Sequence, residues 1–173
     1  MSRLPPRRLS VAPMLDWTDR HFRYMARQIT ENAWLYSEMI NARAIIYGDK
    51  DRFLMFNEGE QPIALQLGGS EPADLAKAAK AAEEYGYNEI NLNCGCPSPR
   101  VQKGAFGACL MNEVGLVADC LNAMQDAVDI PVTVKHRIGV DRQTEYGVAA
   151  EFVGTLYEKT ACRTFIVHAR NAW

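Results

Sequence analysis

Cys96 is the side chain whose setting most invites chemistry. It stands in Asn91 to Met111, NLNCGCPSPRVQKGAFGACLM, which holds three of the five cysteines, three of the twelve glycines and two of the eight prolines. The stretch follows a short apolar run, Tyr87 to Leu92, that reads as a strand, and a loop placed there is where α/β proteins carry function. Pro97 removes a backbone donor and biases Cys96 towards extended geometry, while Gly95 frees the backbone to turn just before it. A thiol held on so stiff a turn can serve as a proton donor or, with a depressed pKa, as a nucleophile. The competing reading is a buried structural cysteine. A metal site is disfavoured: Cys94 and Cys96, with Cys109 and Cys120 beyond, lack the paired spacing of structural zinc sites.

Other candidates stand at the ends of apolar runs. Gln66, in ALQLGG, carries an amide that can pair with the edge of a heterocycle and is expensive to bury otherwise. Asn91 and Asn93 fall on one strand face beside Cys96. Lys135 could hold an anionic ring or could snorkel to solvent, and His168 could contact a ligand or simply cap a strand; position alone does not choose. Arg100, Lys103 and Arg137, with His136, could form a basic rim for a phosphate-bearing polymer. Asp16, Trp17 and Arg20 follow the first run; Trp17 could stack on a base, with core packing as the default expectation.

The elements that must position these residues alternate. Strands are expected at Leu9 to Met14, Trp34 to Met39, Pro62 to Leu67, Tyr87 to Leu92, Pro131 to Arg137 and Arg163 to His168. Between them, Thr18 reads as the N-cap of a helix with Phe22, Met25, Ala26 and Ile29 at helical spacing. Ala42 to Tyr47 and Asp51 to Phe56 read as short helical pieces. Helices are also expected from Ser70 to a stop at Gly86, over Glu113 to Ala127, and over Thr144 to Tyr157. This alternation, without hairpin signals, predicts a parallel sheet built from βαβ units. No G-x-G-x-x-G follows the first strand, and the polar residues sit at the C-terminal ends of several strands. Both features favour a (β/α)8 TIM barrel over an open doubly wound sheet. A complete barrel needs ~250 residues. The chain has 173, so the barrel is expected to be incomplete, with about six strands present.

Composition narrows the classes. At 48% hydrophobic and 23% charged the chain is globular rather than disordered. No apolar run reaches the ~20 residues of a membrane span, so no membrane association is expected. The basic N-terminus lacks the long apolar core of a secretory signal. A net charge of -2 makes no global case for nucleic acid. An odd cysteine count without framework spacing suits a reducing cytoplasm.

Taken together, VAPMLDWTDRHFR, ALQLGG, EINLNCGCPSPRVQKGAFGACLM, VTVKHRIG and FIVHARNAW resemble the tRNA-dihydrouridine synthase family, most closely its A type. The pieces occur in the family's order and cover nearly the whole chain. The resemblance implies that residues 1–173 are the N-terminal portion of an FMN-binding barrel. In the family, NADPH reduces the flavin and the reduced flavin reduces D-loop uridines of tRNA to 5,6-dihydrouridine. By motif, Cys96 matches the catalytic cysteine that protonates C5 of the uracil while hydride reaches C6. Pro13, Met14, Leu15, Gln66, Lys135 and His168 match FMN contacts. Asn93 matches a tRNA contact, and Arg100 and Lys103 are the candidate rim for the tRNA backbone. The family's grip on the FMN phosphate and its helical domain would lie beyond Trp173. Weak FMN binding by this chain alone, and self-association through open barrel edges, are therefore expected. Two other functions fit the same residues: an FMN barrel reductase of a free pyrimidine or small enone, and a non-catalytic RNA-binding module.

Overall fold

A computed structural model describes residues 7–143 and 145–173 of the chain. Six strands form one parallel sheet in the order of the sequence: β1 (Ser10–Val11), β2 (Trp34–Asn41), β3 (Ile63–Gly68), β4 (Glu89–Cys94), β5 (Val132–Arg137) and β6 (Phe165–His168). The main crossovers are α1 (Arg20–Ile29), α2 (Ala42–Tyr47) with α3 (Lys50–Leu54), α4 (Pro72–Glu84), α6 (Val114–Ala127) and α7 (Tyr146–Lys159); the short α5 (Pro99–Lys103) lies within the long loop after β4. A doubly wound sheet reverses its strand order at a switch point. This one never does. Right-handed crossovers then place every helix on one face, and the twisted sheet curls around the other. The result is an incomplete TIM barrel.

Strand alternation sorts the side chains. Ile63, Leu65 and Leu67 of β3, Ile90, Leu92 and Cys94 of β4, and Val132 and Val134 of β5 are buried towards the helices, where they meet Leu75, Ala78 and Ala82 of α4 and Val117, Leu121 and Met124 of α6. The alanine-rich face of α4 lets it pack closely against both α2 and α6. The opposite face lines the barrel interior and is largely polar: Gln66, Glu89, Asn91, Asn93 and Thr133 are all buried there.

Several expectations are corrected. The strand expected over Leu9 to Met14 is only Ser10–Val11, because Pro13 onwards turns over the sheet edge. Asp19, not Thr18, caps α1, its side chain accepting the Phe22 N–H; Thr18 is buried and exchanges two hydrogen bonds with the Met14 backbone. Met25 is 54% and Ile29 78% exposed, so they do not form the buried face of α1. That face carries Ala26, with Phe22 packed beside it as expected, and also Arg23 and Arg27. Arg27 donates to the carbonyls of Thr30, Ala33, Glu60 and Pro62, and Arg23 pairs with Glu60. α4 begins at Pro72, after Ser70, and ends as expected before Gly86, whose φ of 94° needs glycine. α7 is described from Tyr146; its expected start at Thr144 lies outside the described residues. No helix among the described residues is long and apolar enough to cross a membrane.

Candidate active site

The C-terminal ends of the strands open onto a cleft of about 430 Å³. Pro13, Leu15, Gln66, Asn93, Cys96, Lys135 and His168, seven residues singled out from the sequence, all line it. Met14 does not: its backbone is tied to Thr18 and its side chain is 42% exposed. Lys103 is exposed on α5 and does not line the cleft either, and the Arg100 side chain lies outside the described ones. His136 is overturned as a rim residue. It alternates away from Lys135 and Arg137, is fully buried, and packs on Phe152 and Phe165 beneath the helices. Trp17 is not core: it is 71% exposed.

The turn that carries Cys96 is braced at every backbone polar group. Asn93 Oδ1 accepts the N–H groups of Gly95 (3.1 Å) and Cys96 (2.9 Å). Arg137 Nε donates to the Gly95 carbonyl at 2.9 Å, the Ala108 N–H to the Cys96 carbonyl at 3.0 Å, and Trp173 Nε1 to the Pro97 carbonyl at 2.9 Å. Gly107 lets the returning loop lie against this turn. A Cβ there would meet Val101 Cγ1 and sit 2.7 Å from the Cys96 carbonyl, and its φ is 69°. Cys96 is half-buried, whereas Cys94, Cys120 and Cys162 are buried among the core side chains, where burial raises their thiol pKa values. No cluster among the described residues could hold a metal ion.

Below the turn lies a chain of amides. Asn93 Nδ2 donates to Gln66 Oε1 (2.8 Å), Gln66 Nε2 to Asn91 Oδ1 (2.7 Å), and Asn91 Nδ2 to Thr133 Oγ1 (2.8 Å). Register produces this, since Gln66 faces Asn91 and Asn91 faces Thr133 across neighbouring strands.

Cations form one wall. Lys135 and Arg137 point into the cleft from β5, and neither has an ion-pair partner among the described residues. Burial, then the charge of Arg137, lowers the Lys135 pKa. The His168 pKa is lowered by burial and then by Arg137, Lys135 and Arg170, which favours neutral imidazole. Pro13, Leu15, Met39, Val101 and Phe106 supply apolar walls. Met39, Asn41, Val101 and Phe106 were not found from the sequence. A register shift between Tyr36 and Met39 turns Met39 and Asn41 inward, and a bulge leaves no sequence signal. Phe106 had a faint one, its flanking Gly104 and Gly107.

The donor set suits a flat, electron-poor heterocycle such as a flavin. It combines amides for a polar edge, apolar walls for ring faces, and unpaired half-buried cations for an anionic edge.

The family model described as "Dihydrouridine synthase (Dus)" matches residues 10–172. A tRNA-dihydrouridine(20/20a) synthase of Vibrio parahaemolyticus serotype O3:K6 is 61% identical over 166 residues, covering 96% of this chain and 51% of that protein. A protein of the same name from Yersinia pestis is 60% identical over 169 residues, covering 98% of this chain and 49% of its own length. One from Escherichia coli O6:H1 is 58% identical, with 98% and 51% covered. The chain thus spans about half the length of the curated relatives it matches.

Proposed function

Because the chain belongs to the dihydrouridine synthase family, we propose that it forms the base-reducing half of a tRNA-dihydrouridine synthase that uses FMN and NADPH. The observation that carries this reading is the convergence of Cys96, Gln66, Asn93, Lys135, Arg137 and His168 on one cleft from four different strands.

When bound, FMN would supply the hydride chemistry. The chain's own residues would do the rest. Gln66 and Lys135 would hold the polar edge of the flavin, with His168 beside them and Pro13 and Leu15 against the ring. Cys96 Sγ would give its proton to C5 of the uracil, so the thiol must arrive protonated. The turn supports that role by holding the thiol in place: the N–H groups of Gly95 and Cys96 are both bound by Asn93. Arg137 and Lys135 would face the negative charge that develops on the pyrimidine. The apolar walls would keep water from the reacting carbon.

A polymeric substrate is favoured over a free base by a second groove of about 630 Å³. It joins the cleft through Leu15, Met39 and Asn41 and carries the cations Arg20 and Arg52 beside His21, Asp19 and Glu38. Exposed Trp17 stands on the same loop as Leu15. A base swung out of its stack would enter the cleft while its flanking strand met these cations and the indole face.

The test supplies the chain with FMN, NADPH and an unmodified tRNA transcript and reads the nucleosides by mass spectrometry. At FMN concentrations high enough to offset the weak binding expected of this chain, dihydrouridine should form with the native chain and not with Cys96→Ala. Equal reduction of free uridine would favour a small-substrate reductase. RNA binding without reduction, unchanged in Cys96→Ala, would favour a binding module.

A further inference from the structure

The amide chain beneath Cys96 has a direction. Backbone N–H groups only donate, so the atom of Asn93 facing Gly95 and Cys96 must be its oxygen. Its nitrogen then faces Gln66, whose nitrogen faces Asn91, whose nitrogen faces Thr133. The Thr133 hydroxyl must therefore accept, and of the two acceptors in reach of its single proton, Oε1 of Glu89, the first residue of β4, is far closer than the Ile90 carbonyl at 3.4 Å. Glu89 is fully buried inside the barrel at the end remote from Cys96, takes a second hydrogen bond from the Tyr36 hydroxyl at 3.0 Å, and is ion-paired with Arg7. A carboxylate accepts only. Every hydrogen bond from the Cys96 amide to Glu89 thus points the same way, between donors at the loop and an acceptor at the opposite end of the strand.

We propose that Glu89 is a positioning residue for Cys96: as the acceptor that terminates the series through Thr133, Asn91, Gln66 and Asn93, it holds the Cys96 turn in one geometry. The reverse orientation would set the Asn93 amide nitrogen against two backbone N–H groups, so the series has one arrangement rather than two. Networks of this kind are stronger when complete and costly when cut. The importance of Cys96 rests on the function proposed above, but its positioning is measurable without turnover.

The experiment follows alkylation of Cys96 and Cys109 by iodoacetamide in the 173-residue chain, resolved by peptide mass spectrometry. Both thiols are half-buried, so Cys109 is an internal reference in the same molecule. Thr133→Val and Glu89→Leu, each verified as folded by circular dichroism, should raise the Cys96:Cys109 rate ratio about five-fold, as expected when one net hydrogen bond is lost. Thr133→Ser, which keeps the hydroxyl, should leave the ratio as in the native chain. If the valine chain does not fold, Thr133→Ala removes the same hydroxyl and is read the same way. An unchanged ratio in folded Thr133→Val, or a serine chain shifted as far as the valine one, would overturn the series as the positioning device. An unchanged ratio in folded Glu89→Leu, which has no acceptor, would overturn the part given to Glu89.

Discussion

His136 and Lys135 are neighbours in sequence and opposites in environment. Lys135 faces the cleft; His136 lies among Phe152 and Phe165 with its Nδ1 2.7 Å from the Arg137 carbonyl and its Nε2 unpartnered. Burial lowers the His136 pKa, an effect reinforced by the charge of Lys135 and opposed by the carbonyl contact. The sign follows: below the unfolded value of ~6.5 the unfolded chain binds the proton and the folded chain resists it, so stability falls as pH drops through that value. Urea denaturation of the native chain and His136→Leu between about pH 7 and about pH 5 should show a shallower acid decline in the variant. Equal slopes would mean that His136 titrates alike in both states. At the cleft, Lys135→Met should weaken FMN binding about ten-fold, the loss expected for one charge-assisted contact, read by flavin fluorescence. Alternation made the inward set Asn91, Asn93, Lys135 and Arg137 legible, and the same rule, applied to His136, would have removed it from the rim.

Among the elements, the strands and the long helices were readable because each carries a period that burial enforces. α1 was legible only in part: Phe22 and Ala26 pack inward as its spacing predicts, but Met25 and Ile29 are exposed and two arginines share the buried face. The sequence pattern assumes that carbon goes inside, yet Arg23 and Arg27 are buried because the Glu60 carboxylate and the carbonyls of Thr18, Thr30, Ala33, Glu60 and Pro62 accept from their guanidinium groups. Arg27→Met should cost ~3 kcal/mol in urea denaturation by leaving several of those carbonyls unsatisfied, and Arg27→Lys should recover little, since an ammonium lacks the planar fork. A cost near zero would mean that water reaches these groups. The loop after β4 was located from its composition, but its path was not. α5 and the 3₁₀ turn over Gly107–Asn112 depend on tertiary contacts, chiefly the approach of Gly107 to Val101 and Cys96. Gly107→Ala should destabilise by more than ~1 kcal/mol, because both φ and space oppose a Cβ.

For the molecule as a whole, the sequential strand order leaves β1 and β6 as edges. Their unpaired backbone groups lie near exposed Leu9 and Val167, and α1 adds exposed Met25 and Ile29. Sedimentation should show association that grows with concentration and weakens in a Leu9→Lys, Val167→Lys double variant; a monomer at every concentration would mean that these edges do not pair. The same order has a consequence for the cleft. Its floor, Gln66, Asn93 and Lys135, belongs to the central strands, whereas two of its walls stand at the edge strands, Pro13 just after β1 and His168 at the end of β6. The aperture is therefore set by how tightly the sheet curls, as the gap of a calliper is set by its hinge. Whatever tightens that curvature narrows the opening, and because Trp173, beyond β6, donates to the Pro97 carbonyl, the width of the ring admitted and the seat of the thiol move together.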